Sequence, residues 1–83
     1  MQARDRIELV ARRNQFGELV VNLDQSLETL RSIPGQVIVA VPDPVTGAIR
    51  EETVEHLRND LCRTRETARQ ALLRCERELG EAP

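Results

Sequence analysis

The chain has 83 residues with a formal net charge of −2, and its twelve basic residues are all arginine. A slightly acidic chain lacks the surplus of positive charge that general nucleic-acid binding requires, so the composition argues against nucleic acid as a partner. The apolar residues are almost all aliphatic, and Phe16 is the only aromatic residue, so a chain of this length builds a thin core. We therefore expect a homo-oligomer or an obligate protein partner.

The first predicted element is a long amphipathic helix over residues 4–33. Asp5 is the expected N-terminal cap, and Pro34 and Gly35 provide a stop signal. Apolar residues recur in a heptad pattern, which is typical of a helix that packs along another helix. Arg13 occupies one seam position and suggests a frayed end or a specific ion pair. The seam that we assign to a protein interface consists of Phe16, Val20, Leu23, Leu27 and Leu30, with Leu9 extending it towards the N-terminus.

Three further residues of this helix depart from a two-position seam. Leu19 and Val21 widen the apolar stripe, as expected for a helix that has more than one neighbour. Gly17 costs about 1 kcal/mol relative to alanine in a helix interior, so it either permits the close approach of another helix or allows a bend.

An apolar connector over residues 34–50 follows the first helix. The uninterrupted run from Val37 to Val41 is rich in β-branched residues and bounded by prolines, which predicts a short strand. Residues 42–47 have the composition of a turn, and residues 48–50 are a candidate second strand. An alternative interpretation makes Asp43 the N-cap and Pro44 the first residue of a helix that continues into the next element.

Both faces of the predicted strand are apolar, and a lone pair of strands is only marginally stable in water. The connector therefore either folds back onto the helix ends or packs against another chain by edge addition or face burial. We favour the second interpretation, because two helix ends offer little surface for burial. The connector residues assigned to this protein interface are Val37, Ile38, Val39, Val41 and Ile49.

A second amphipathic helix is predicted over residues 51–80. Acidic Glu51, Glu52 and Glu55 fall in its first turns, which complements the helix dipole, and Gly80 is a typical C-terminal stop. Positive charge is concentrated in the middle of this helix. It either forms ion pairs with neighbouring acidic residues or binds an anion such as phosphate, for which planar guanidinium groups are well suited. The candidate anion-binding residues are Arg58, Arg63, Arg65 and Arg69.

Three polar residues with metal-binding side chains, Glu52, His56 and Asp60, recur every four positions and would share one helix face. A solvated row of polar residues is the commoner meaning of such spacing, so we expect no metal and no cofactor. Cys62 and Cys75 are about 20 Å apart on a helix, too far for an intrachain disulfide. They are expected to be free thiols, with Cys75 as a small core residue.

No catalytic motif is present: the sequence lacks a glycine-rich phosphate loop, a paired-histidine zinc motif and a nucleophile with a suitably spaced base. We therefore expect a protein that is not an enzyme. No signal-type segment and no apolar run near 18 residues occurs, so we expect a cytoplasmic protein that does not enter membranes.

The order of helix, strand-turn-strand and helix, carried here by residues 9–30, 37–49 and 54–79, resembles the layout of small prefoldin-type chaperone subunits. The resemblance is one of layout. It implies two coiled-coil arms flanking a β-hairpin through which subunits assemble, and it identifies no site residues.

The sequence therefore predicts one mainly α domain over residues 1–83, an antiparallel, coiled-coil-like helical hairpin with a short β-strand or β-hairpin in its connector. We expect it to act, as an oligomer, as a non-enzymatic protein-interaction module such as an adaptor, an inhibitor or a chaperone-like accessory protein. The alternative is a regulator that binds nucleic acid or a small phosphorylated ligand through its clustered arginines.

Overall fold

A computed structural model of the chain describes residues 2–81. The elements in chain order are α1 (Ala3–Arg31), β1 (Ile38–Pro42), β2 (Ile49–Thr53) and α2 (Val54–Leu79). The helices pack along each other, and the strands form a two-stranded antiparallel sheet. This architecture confirms the predicted mainly helical hairpin, and of the two alternatives for its connector, a single strand or a β-hairpin, it contains the β-hairpin.

Polar contacts between the helices show that they run antiparallel. Arg13 near the start of α1 pairs with Glu81 just after the end of α2. In the middle of α1, Asp24 Oδ1 lies 3.2 Å from Arg65 Nη1. Residues early in α1 therefore face residues late in α2. The pairing of Arg13 also resolves the two expectations for this charged seam position in favour of a specific ion pair.

The hydrophobic core is thin and lies between the two helices. Leu23 is the buried residue of α1, and α2 contributes Ala68, Cys75 and Leu79. Val54, at the start of α2, is completely inaccessible to solvent. The molecule measures only 14 Å in its shortest dimension, so it is a single layer in which most side chains reach the surface. The burial of Cys75 and the absence of a disulfide to Cys62 agree with the sequence prediction.

The start of α1 differs from the predicted start. The N-cap is Gln2, without a side-chain capping bond, and the N–H of Arg6 donates to the carbonyl oxygen of Gln2 at 3.1 Å. Helical hydrogen bonding thus begins before Asp5, which lies in the first turn rather than at the cap. There its negative charge still favours the positive end of the helix dipole.

The boundary between β2 and α2 also differs from the prediction, which began the helix at residue 51 and ended the strand at residue 50. Glu51 and Glu52 belong to β2, because they pair with Ala40 and Val39 of the five-residue strand β1. The helix begins only after Thr53, whose hydroxyl oxygen accepts the backbone N–H of His56 at 3.2 Å. Strand pairing therefore overrides the favourable position of acidic residues in a first helical turn.

The two strands are joined by residues 43–48, a turn that is organised by its first residue, Asp43. Its Oδ1 accepts the backbone N–H groups of Val45 at 2.8 Å and Thr46 at 3.1 Å. These bonds, that from Thr46 foremost, hold the pKa of the Asp43 carboxyl below its ordinary value of 3.8. Gly47 has a positive φ of 75° and donates its N–H to the Asp43 carbonyl oxygen. The alternative helix starting at Pro44 therefore does not form.

Candidate functional site

The β-hairpin has one half-covered face and one exposed face. Side chains of directly paired residues lie on the same face of an antiparallel sheet. Val39 and Val41 are half-buried, and the side chain of Glu52, which pairs with Val39, is buried. Residues of the opposite face are all exposed, and Ile38 and Ile49 retain 63% and 69% of their accessible surface. The exposed face consists of Ile38, Ala40, Pro42, Ile49, Glu51 and Thr53.

The backbone of β1 also has a free edge. The N–H of Val54 donates to the Val37 carbonyl oxygen, and the N–H of Asp43 donates to the Ala48 carbonyl oxygen. Because hydrogen-bonded and non-hydrogen-bonded pairs alternate along an antiparallel ladder, the polar groups of Ile38 and Ala40 point away from β2. β1 carries no charged side chain, whereas β2 contains Arg50, Glu51 and Glu52. Charge protects an edge strand from pairing with other chains, so the unprotected edge is that of β1.

Val45, in the turn, is an exposed apolar residue of the hairpin that the sequence pattern did not single out. It retains 90% of its accessible surface. The signal that would have found it is its position between two turn residues, Pro44 and Thr46, where a side chain has nothing to pack against. Val45 extends the apolar surface of the hairpin beyond Ile49.

The residues of the helical seam are less exposed than those on the exposed face of the hairpin. Leu23 is buried, whereas Phe16, Val20, Leu27 and Leu30 are half-buried. Phe16 lines a shallow groove of about 310 Å³ together with Ala68 and Ala71 of α2. The seam thus faces α2 of the same chain, and the interface residues with the most accessible surface are those of the hairpin.

The four arginines that were grouped by sequence are divided by the structure. Arg58 Nη2 donates to the carbonyl oxygens of Leu30 and Ile33 at 2.9 and 3.0 Å, and so satisfies acceptors at the end of α1. Arg65 faces Asp24 of α1, as described above. The other two form longer ion pairs on their own helix, with N–O distances of 3.9 Å for Arg63 to Asp60 and 4.0 Å for Arg69 to Glu66. Each guanidinium group therefore has an acceptor within the chain.

The structure brings together the three residues that share a four-residue spacing. One side-chain ligand atom from each of Glu52, His56 and Asp60 lies within 4.8 Å of the other two. His56 Nε2 is 3.6 Å from Glu52 Oε1 and 3.4 Å from Asp60 Oδ2. Glu52 belongs to β2, whereas His56 and Asp60 belong to α2. The cluster therefore spans the junction between the two elements.

The fold and its surface define a two-helix hairpin that presents an exposed apolar β-hairpin where the helices are joined. Comparisons with protein-family models, curated proteins and solved structures find no match, so they identify no family and add no support to the resemblance in layout. Within residues 2–81, neither helix contains a stretch long and apolar enough to cross a membrane.

Proposed function

We propose that the chain is a non-enzymatic protein-interaction module that associates through the exposed face and free edge of its β-hairpin. The observation that carries this proposal is the exposure of Ile38 and Ile49 on one face of a two-stranded sheet. An exposed two-stranded sheet is marginal in water, and a third or fourth strand stabilises it. Burying apolar side chains contributes about 25 cal/mol per Å² of apolar surface.

A second copy of the chain is the simplest partner. An uncharged strand such as β1 is complementary to itself, because antiparallel pairing about a two-fold axis presents the same apolar residues from both sides. Pairing of this kind would give a four-stranded sheet in which the charged β2 strands form the outer edges. Pro42 has no N–H and would limit the pairing to the start of β1. Roles as an adaptor, an inhibitor or a chaperone-like accessory protein follow if another protein supplies the added strand.

The test is Ile38→Asp, with Ile7→Asp as a matched control. Ile7 lies near the start of α1, distant from the hairpin along the helix, and is similarly exposed at 69%. Sedimentation equilibrium should show an oligomer for the natural chain and for Ile7→Asp, and a monomer for Ile38→Asp. Far-UV circular dichroism should show the same helix content in all three.

Two results would contradict the proposal. The first is a natural chain that is a stable, folded monomer at micromolar concentration. The second is an oligomer that persists in Ile38→Asp. Salt separates the proposal from anion binding by clustered arginines, since burial of apolar surface is insensitive to moderate salt, whereas charge-driven binding weakens.

A further inference from the structure

The junction between β2 and α2 contains a buried carboxylate that the fold does not fully satisfy. The side chain of Glu52 retains only 7% of its accessible surface. Its Oε2 is buried without a hydrogen-bond partner among the described residues. Burying a charged group costs free energy unless it is hydrogen-bonded or paired. A cation or a hydrogen-bond donor near this carboxylate would lower that cost. Its Oε1 faces His56 and also lies 3.2 Å from Arg50 Nη2.

We propose that Glu52, His56 and Asp60 form a binding site for a divalent transition-metal cation of the Zn²⁺ type. An imidazole nitrogen with two carboxylates is a ligand set that such cations accept, and water would complete the coordination. This site is independent of the association proposed for the hairpin, because it lies at the junction with α2 and uses none of the exposed apolar side chains.

The two distances that His56 makes within the cluster fit such an ion. Four ligands arranged tetrahedrally about 2.1 Å from Zn²⁺ are separated from one another by about 3.4 Å. The two distances from His56 Nε2, 3.6 Å to Glu52 Oε1 and 3.4 Å to Asp60 Oδ2, are close to this value. The third pair, Glu52 with Asp60, is within 4.8 Å, so these two carboxylates must rotate towards each other to enclose an ion.

The surroundings modulate the affinity in opposite directions. Two carboxylates attract a cation, whereas the positive end of the α2 dipole opposes it. Arg50 competes for Glu52 Oε1, but its side chain is more than half exposed and can turn into solvent. A bound cation would tie the end of β2 to the first turns of α2, and it would stabilise the folded chain in proportion to its saturation.

The experiment is calorimetric titration of the purified full chain, free of affinity tags, with ZnCl₂, together with Co²⁺ absorption spectroscopy as a report on coordination geometry. The expected result is one Zn²⁺ per chain. Glu52→Gln, His56→Asn and Asp60→Asn should each weaken binding at least ten-fold. Arg50→Ala should strengthen it several-fold, because it removes the competing cation.

Two control variants keep the assignment specific. Glu66→Gln removes an exposed carboxylate elsewhere on α2, and Cys62→Ser removes the exposed thiol, so both should bind Zn²⁺ as the natural chain does. Circular dichroism establishes that each variant folds. Because His56 is exposed, His56→Asn tests the site even if a substitution of the buried Glu52 disturbs the fold. The proposal is overturned if Zn²⁺ does not bind, if binding survives in Glu52→Gln and His56→Asn, or if it is lost in Cys62→Ser.

Discussion

The helix pair and the β-hairpin are both built from aliphatic residues, but they differ in how much apolar surface they cover within one chain. Leu23 of α1 is buried against α2, and the ends of the pair are joined by the ion pair of Arg13 and Glu81. The hairpin covers one face and leaves Ile38 and Ile49 in solvent. Each long helix packs against the other helix, whereas the two-stranded sheet has a second face and a free edge that no residue from 2 to 81 covers.

Truncation of the helix core should have the largest effect on this comparison. Leu23→Ala removes a buried side chain and leaves a cavity, which typically costs about 2–5 kcal/mol. We expect about 2 kcal/mol here, since the core is a single layer. The matched control is Val21→Ala, an exposed site on the same helix, which should change the stability by less than about 0.5 kcal/mol. Urea unfolding at a fixed protein concentration measures both, and equal losses would contradict the packing of Leu23 against α2.

Loss of the contact between α2 and the end of α1 should be next in size. Arg58→Ala deletes the two hydrogen bonds to carbonyl oxygens at the end of α1. A hydrogen bond to a charged group contributes about 1.5–3 kcal/mol, and water will replace part of this loss, so we expect about 1–2 kcal/mol in thermal unfolding. Arg63→Ala is the control, because its ion pair is long and exposed. If Arg63→Ala lowers the free energy of unfolding as much as Arg58→Ala does, the hydrogen bonds at the end of α1 do not contribute specifically to stability.

A glycine in α1 tests whether the helix pair really has a free face. A Cβ atom added at Gly17 would meet nothing within 4 Å, so Gly17→Ala should stabilise the chain by about 0.5–1 kcal/mol. At Gly35 the added atom would lie 3.2 Å from Glu55 Cβ, so Gly35→Ala should not stabilise it. Gly17→Ala could instead destabilise the chain or disperse the proposed oligomer. Either result would indicate that α1 itself contacts another chain, and the hairpin would then not be the main uncovered surface.

The smallest expected effect concerns the turn of the hairpin. The pKa of Asp43 is lower in the folded chain than its ordinary value of 3.8, so its contribution to stability is present above that value. The contribution is lost as the pH falls through the lower, folded-state pKa. Because the carboxylate is exposed, the effect should be confined to the turn, as a smaller protection of the Val45 and Thr46 amides in acid, relative to the intrinsic exchange rate at each pH. Asp43→Asn should remove this pH dependence, and an unchanged pH profile in the variant would contradict the assignment.

The sequence alone was sufficient for the two helices, the first strand and the turn, and it left the second strand as a candidate. The heptad pattern predicted α1, the β-branched run predicted β1, and the composition of residues 42–47 predicted the turn. These elements are set by local properties, namely side-chain periodicity, β-branching and turn chemistry, which a single sequence displays directly.

The boundary of β2 required tertiary information. Glu51 and Glu52 satisfy the local preferences of a first helical turn. They are strand residues because β2 pairs with β1 over all five of its residues. Arg58 was likewise grouped with other arginines by charge, and only the antiparallel packing of α2 on α1 brings it to the carbonyl oxygens of Leu30 and Ile33. Neither outcome can be read from spacing along one helix.

The connector separates what the sequence determines from what only the tertiary structure decides. Its composition predicted a strand from Val37 to Val41, which the structure places at Ile38–Pro42, and it indicated that some of the apolar surface there requires a partner. Only the pairing register decided which residues remain exposed, because it turns Val39 and Val41 to one face of the sheet and Ile38 to the other. The same register buries Glu52 beside His56. Local chemistry selects the element, whereas the assignment of each side chain to a face depends on contacts between residues distant in sequence.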